Sequence, residues 1–270
     1  MGCALRLLLP AVIWGIVAAA TGCSSSSGDN GYRGISGQYP TGSRNISSDN
    51  LVAAFDMETI TSNGLLQDFS PHGHHSVIMG TAPAAGIFGD ARRFKIPADR
   101  IDLPETPAFD INGPLSLALW FRVDALNLHQ HILAVDDKFV VWINQLNHIR
   151  FTDTRGNGLE MQESLEAGRW YSLAAVFDGT AGMQLTQENI RLYLDGELIQ
   201  TILVGKSSAD PPAWNPGYLF PSDAAYIGFE SHQGEPLHQE LPFVGVIDEV
   251  LIFSRSLDLL EIMAHADADQ

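Results

Sequence analysis

Leu115-Ser116-Leu117-Ala118-Leu119-Trp120-Phe121-Arg122-Val123 decides the fold. Successive side chains of a β-strand point to opposite faces. Leu115, Leu117, Leu119, Phe121 and Val123 therefore share one face, and Ser116, Ala118, Trp120 and Arg122 share the other. One face is wholly apolar and the other mixed, the pattern of a strand inside a sandwich. Ile190, Leu192 and Leu194 alternate with Arg191 and Tyr193 in the same way. Asp195-Gly196 then joins that strand to Glu197–Val204. Asp-Gly between two such runs predicts a tight hairpin, because both turn residues need positive φ.

The same short period predicts strands near Leu51–Phe55, Arg92–Ile96, His131–Val135, Phe139–Ile143, His148–Thr152, Trp170–Phe177, Ala225–Phe229 and Phe243–Phe253. Many short strands with turn chemistry between them predict an all-β, two-sheet antiparallel sandwich. Only the end reads as helix, over Leu259–His265. Asp258 is placed as its N-cap and Glu261 as the N3 partner of a capping box, with Leu257 and Ile262 as the hydrophobic staple. No internal repeat is visible, and a single globular domain is expected.

The formal net charge is −17. Such a surface repels nucleic acid, so nucleic-acid binding is excluded. It suits divalent cations only weakly, since most surface carboxylates are simply solvated. The two cysteines, Cys3 and Cys23, both lie near the N-terminus, which leaves the body of the chain no disulfide.

Arg6 precedes the apolar run Leu7–Ala20, which is short for a membrane span and ends in small residues. It reads as a cleaved signal. Ala19-Ala20-Thr21-Gly22-Cys23 resembles the lipobox of bacterial lipoproteins, with Ala20 where that family favours Leu. The resemblance implies cleavage before Cys23 and lipidation of its sulfur and amine, a stable anchor because several acyl chains act together. The alternative is a plain secreted protein with a stray cysteine. Ser24 stands where Asp would resemble an inner-membrane retention signal, so an outer-membrane envelope location is expected. Residues 24–50 are rich in Ser, Gly and Asn and read as a flexible tether with a reach of about 30 Å. The expected organisation is a signal over 1–22, lipidated Cys23 and tether over 23–50, and one domain over 51–270.

Five segments then line up with one family. They are Leu51–Asp56 with Asp68–His75, Ser116–Arg122, Arg169–Gly179, Arg191–Leu198 and Gly245–Leu257 with the capped helix. In that order they resemble the laminin-G-like, concanavalin A-like jelly roll. Pro71 stands where the family usually has Gly, and Gly205–Asp223 is longer than the usual connection. The resemblance implies a structural Ca2+ held by Asp56, Asp68 and Asp248. Hard oxygen ligands from separate loops suit that ion. The alternative is that these carboxylates cap turns and accept backbone N–H bonds.

Three further groups stand out. His72, His74 and His75 offer imidazoles for a transition metal, or are a polar turn after Pro71. Gly205–Asp223 carries Trp214, Tyr218 and Phe220 among prolines. These aromatics form a ligand platform for sugars or a partner, or else fold back as a lid over the sandwich edge. Trp120, Trp142 and Trp170 lie on strands and are expected in the core rather than on a glycan-binding face.

No Glu is followed by Asp two positions on, so the E-x-D-x-E motif of jelly-roll glycoside hydrolases is absent; G-x-S-x-G, H-E-x-x-H and a phosphate loop are absent too. A non-enzymatic, membrane-anchored module that binds carbohydrate is expected. The alternative is an adhesion or envelope-assembly protein with a surface protein as its partner.

Overall fold

The computed structural model describes residues 46–135, 138–205, 212–216, 225–229 and 242–267. Residues 1–45, with the expected signal and Cys23, lie outside the described residues, as do Tyr218 and Phe220. Among the described residues the chain forms sixteen strands and one α-helix. In order these are β1 (Leu51–Phe55), β2 (Val77–Met79), β3 (Ala82–Ala85), β4 (Asp90–Phe94), β5 (Arg100–Leu103), β6 (Leu115–Val123), β7 (Gln130–Val135) and β8 (Phe139–Ile143). Then come β9 (Ile149–Asp153), β10 (Gly158–Met161), β11 (Trp170–Phe177), β12 (Ile190–Leu194), β13 (Glu197–Leu198), β14 (Thr201–Val204), β15 (Ala225–Ile227), β16 (Gly245–Phe253) and α1 (Leu259–Ala266).

The strands make two antiparallel sheets. Sheet one runs β13-β12-β11-β6-β16-β4-β3, with β1 also paired to β16. Sheet two runs β14-β10-β9-β8-β7-β15-β5-β2. The apolar faces meet in one core that includes Leu117, Leu119, Phe121, Val141, Phe151, Leu173, Phe177, Ile227 and Ile252. The expected alternation of β6 is therefore correct, and so is the all-β sandwich.

Sheet one is buried on both faces, which is why its central strands read as almost unbroken apolar runs. Its outer face carries Ala118, Ala174, Val176, Leu251 and Phe253. Ile46, Leu257 and Ile262 cover them in a second apolar cluster. The small Ala118 and Ala174 leave room for α1 to lie close. The capping box at Asp258 and Glu261 is present in both directions. Glu261 also pairs with Arg255 at 2.6 and 2.7 Å and accepts the Ser47 amide at 3.2 Å. Arg255 in turn donates to the Ser47 and Asp49 carbonyls. Ile46 and Ser47, inside the stretch expected to be tether, are thus packed against the domain.

The Asp195-Gly196 turn has both residues at positive φ, 52° and 80°, as the hairpin demands. The strand expected after it is not continuous. β13 pairs with β12 in sheet one, whereas β14 pairs with β10 in sheet two. The chain changes sheets across Ile199–Gln200, a step decided by which neighbour each half can pair with. A second irregularity lies in β16, where register with β6 shifts between Asp248 and Leu251. Glu249 sits there at φ 49° with no exposed surface. The bulge turns the Asp248 carboxylate towards the β3–β4 turn.

Candidate functional site

The three carboxylates expected to hold Ca2+ do not gather. Asp56 accepts the amides of Glu58 and Thr59 and the Thr59 hydroxyl. Asp68 accepts the amides of Ala54, Ser70 and His74 and the Ser70 hydroxyl. Asp248 accepts the amides of Ile87, Phe88 and Glu249. Each carboxylate thus spends both oxygens on N–H or O–H donors of turns and strands, which leaves few lone pairs for a metal. Among the described residues no group of three His, Cys, Asp or Glu side chains is placed to hold a metal ion. The residues present therefore fit turn-capping, not the implied ion. Burial pushes the Asp248 carboxyl up to about 7 against its three backbone bonds, and the negative charge of Glu58 adds to the rise.

The histidines are also structural neighbours rather than a cluster of ligands. His72 and His74 stack at 5.2 Å, and His74 leans on Phe109. Burial lowers the His74 pKa, with Asp68 opposing and His72 assisting. His75 Nδ1 accepts the Asp68 amide.

Trp214 is only 1% exposed. Its ring stacks on Phe177 at 4.5 Å and packs against Phe151. The Trp214 amide donates to Met183, its carbonyl accepts from Gly182, and Asp153 accepts the Asn215 amide. This overturns the expectation that Trp214 presents its ring to a ligand. Of the two readings of that loop, the fold-back one describes this residue. Trp120 is buried as expected, its Nε1 donating to the His265 carbonyl at 3.0 Å. Trp170 is half-buried beside Arg122. Trp142 differs from expectation in the way that matters most.

Val141 and Ile143 point into the core, so Trp142 between them points out from sheet two. The register of that sheet places two rows side by side on its outer face. The first row is Ile202, Glu160, Arg150, Trp142 and His131, on β14, β10, β9, β8 and β7. The second is Val204, Gly158, Thr152, Val140, Ala134 and Tyr226, running on to β15. Glu160, His131, Thr152, Val140 and Ala134 are buried, and Arg150, Trp142 and Tyr226 are half-buried.

The first row is held by its own contacts. Arg150 lies over the Trp142 ring at 4.9 Å, and His129 packs against that ring at 4.4 Å. Arg150 Nε donates to Glu160 at 2.6 Å. Glu160 also meets His148 Nδ1 at 3.0 Å and the Asn144 amide at 3.2 Å. Burial raises the Glu160 pKa, but the bonds from His148 and Arg150 outweigh it and hold the carboxyl below its ordinary range. Trp142 Nε1 donates to Thr152 Oγ1 at 3.4 Å. The result is a mutually satisfied set of donors and acceptors around one half-buried aromatic ring on the outer face of the sheet. The alternation of β9 was legible in the sequence. Which face lay outward, and that Glu160 would stand beside Arg150, depended on pairing with β10, a strand that periodicity does not reveal.

A family model described as Laminin_G_3, the concanavalin A-like lectin/glucanases superfamily, matches residues 97–263. No protein of curated function matches the sequence. Among solved structures, a Trypanosoma rangeli sialidase in complex with a difluoro-KDN ligand is similar with a TM-score of 0.56 at 14% identity, over 81% of this chain and 32% of that one. The present chain thus spans about a third of that sialidase. Domain 4 of AbnA, a GH43 extracellular arabinanase from Geobacillus stearothermophilus, in complex with arabinotriose, gives a TM-score of 0.54 at 18% identity, over 81% of this chain and 98% of that one. The receptor binding domain of a botulinum neurotoxin C/D mosaic serotype gives 0.55 at 14% identity, over 82% and 52%. At these identities the likeness is one of fold. With more than half its length matched by the family model, the chain belongs to the concanavalin A-like lectin/glucanases superfamily, in its laminin-G-like group.

Proposed function

We propose that this protein is a non-catalytic carbohydrate-binding module, carried on an envelope lipoprotein anchored through Cys23. The observation that supports it best is the outer face of sheet two, where the half-buried Trp142 packs with Arg150, His129 and His131, and Arg150 is paired to Glu160. A sugar offers apolar ring faces and many hydroxyls. An aromatic ring flanked by fixed donors and acceptors answers both. Similarity to the arabinotriose-bound AbnA domain supports a glycan ligand, and the missing hydrolase motifs support a binding role. Calcium dependence stays part of the test, although the Asp56, Asp68 and Asp248 hydrogen bonds argue for binding without it.

A second reading, adhesion to a protein partner, has its own observation. Leu259, Leu260 and Met263 of α1 are 53%, 72% and 52% exposed, and Leu198 is 62% exposed. The β12–β13 turn abuts the helix, with Gly196 facing Ala266 and Met263. Apolar groups gathered this way suit protein contact.

The deciding experiment is a glycan and polysaccharide array probed with the purified chain, in Ca2+ and again in EDTA. Binding that is lost in Trp142→Ala, with the thermal melt kept, supports the module and locates its site. Absence of any glycan binding in both buffers refutes the reading and leaves the helix face as the surface to pursue.

A further inference from the structure

Resting on the lipid anchor at Cys23 proposed above, and independent of the glycan reading, we infer that the outer face of α1, with Leu198 of β13, docks on the zwitterionic lipid surface to which the chain is tied.

The first argument is that α1 is polar inside and apolar outside. Glu261 and His265 are its two polar residues, and both are buried. Glu261 is spent on the capping box, on Arg255 and on the Ser47 amide. His265 lies between Ser172 and the Glu249 carbonyl. The exposed positions are Leu259, Leu260 and Met263, with Ala264 and Ala266 half-buried beside them. A surface helix ordinarily turns its charged side to water. Leu198 extends this face. It pairs with Tyr193, which belongs to the apolar cluster under α1, and Gly196 in the adjoining turn faces Ala266 and Met263.

The second argument is where the chain enters the domain. Ile46 shares an apolar cluster with Ile262, and the Ser47 amide donates to Glu261 in the first turn of α1. Leu259 and Leu260 precede Glu261 in that same turn. Residues 24–45 separate Cys23 from this point. As the coil their composition predicts, they have a reach of about 25 Å. A domain of this size is about 45 Å across. An anchor at Cys23 therefore brings the α1 side to the bilayer far more often than the opposite side.

The third argument is strength and charge. Four partly exposed side chains offer well below the roughly 800 Å² per partner of a stable protein interface. Such a face is weak towards a free partner. A short tether makes the contact intramolecular, at an effective concentration of about millimolar. Insertion into the headgroup boundary then needs only modest apolar area. Exposed Glu197, Asp258 and Asp267 border the face, so anionic lipid is disfavoured.

The test uses the mature chain, purified in detergent and reconstituted into phosphatidylcholine vesicles that carry a lipid-borne quencher. The mass of the Cys23 peptide is read first. With that sulfur lipidated, an introduced cysteine is the thiol to label. An environment-sensitive fluorophore is placed at Leu260→Cys, or at Leu146→Cys in the exposed β8–β9 turn as the reference. The label at 260 should be quenched at least twofold more than the label at 146, and phosphatidylglycerol should narrow the difference. Adding Leu259→Asp and Met263→Asp, both at exposed positions, should abolish the difference with the thermal melt kept. Equal quenching at 260 and 146 in a lipidated chain overturns the docking and leaves the anchor standing. So does a label at 260 that stays in water on vesicles but is shielded from aqueous quencher in native envelopes, a result that assigns the face to a protein partner. An unmodified Cys23 removes the anchor and the docking together.

Discussion

Acidification between pH 7 and pH 4 should leave the stability of this protein nearly flat, because two buried groups behind sheet one oppose each other. His265 is 2% exposed, its Nδ1 accepting from Ser172 Oγ and its Nε2 donating to the Glu249 carbonyl. Burial pushes its pKa down from 6.5 to about 4, with the Glu249 bond opposing. The folded state therefore holds a neutral ring. That stability is full above pH 6.5 and is lost as pH falls towards 4, at about 1.4 kcal/mol per pH unit and about 3 kcal/mol in all. Asp248 acts in the opposite sense. Its folded pKa is about 7 against 3.8, so the folded state binds the proton first. Its contribution is full below pH 3.8 and is lost as pH rises through 7, so acidification restores about 4 kcal/mol. Over pH 4–6.5 the two slopes cancel. Urea denaturation of His265→Gln and Asp248→Asn at several pH values separates them. The first variant should gain stability as pH falls, the second should lose it, and the slopes should differ by about 2.7 kcal/mol per pH unit. Slopes are compared rather than heights, since an Asn amide group would face one of the backbone donors that Asp248 accepts. Parallel profiles for the two variants would refute the reasoning.

Three more outcomes follow from contacts described above. Arg255→Ala leaves the buried Glu261 carboxylate without its cation and should cost about 3 kcal/mol, read as a fall of roughly 9 °C in a thermal melt; a melt within error of wild type would show that the N-terminal entry is not pinned there. Trp214→Ala should cost about 3–5 kcal/mol as a core truncation, measured by urea denaturation. A variant of normal stability but weakened glycan binding would restore Trp214 to a ligand role. Exchanging millimolar Ca2+ for EDTA should move the melting temperature by less than about 1 °C, since an ion that does not bind the folded state cannot stabilise it. A drop of several degrees would mean that Asp56, Asp68 and Asp248 are rearranged from the hydrogen bonds described.

The sequence by itself determined whatever depends on neighbours along the chain. Alternation is local, so β1, β6, β8, β11 and β12 lie where period two puts them. The Asp195-Gly196 turn and the Asp258–Glu261 capping box are likewise set by residues within a few positions of each other. The resemblance to a laminin-G-like jelly roll rests on five such local segments in order. Tertiary structure decided everything that depends on which strands meet. Glu197–Val204 carries one alternating pattern, yet its halves join different sheets because β12 and β10 offer separate edges. Three tryptophans on strands look alike in the sequence. Trp120 is covered by α1, whereas Trp142 faces outward beside Arg150. Trp214 sits in a proline-rich loop that reads equally as a display surface or a fold-back lid, and its ring is in the core because Phe177 and Phe151 supply an apolar seat. The carboxylates Asp56, Asp68 and Asp248 could each be named from the chain. Their partners are backbone amides, two sets from turns nearby and one from a hairpin some 160 residues away, and only the folded register brings that last pair together.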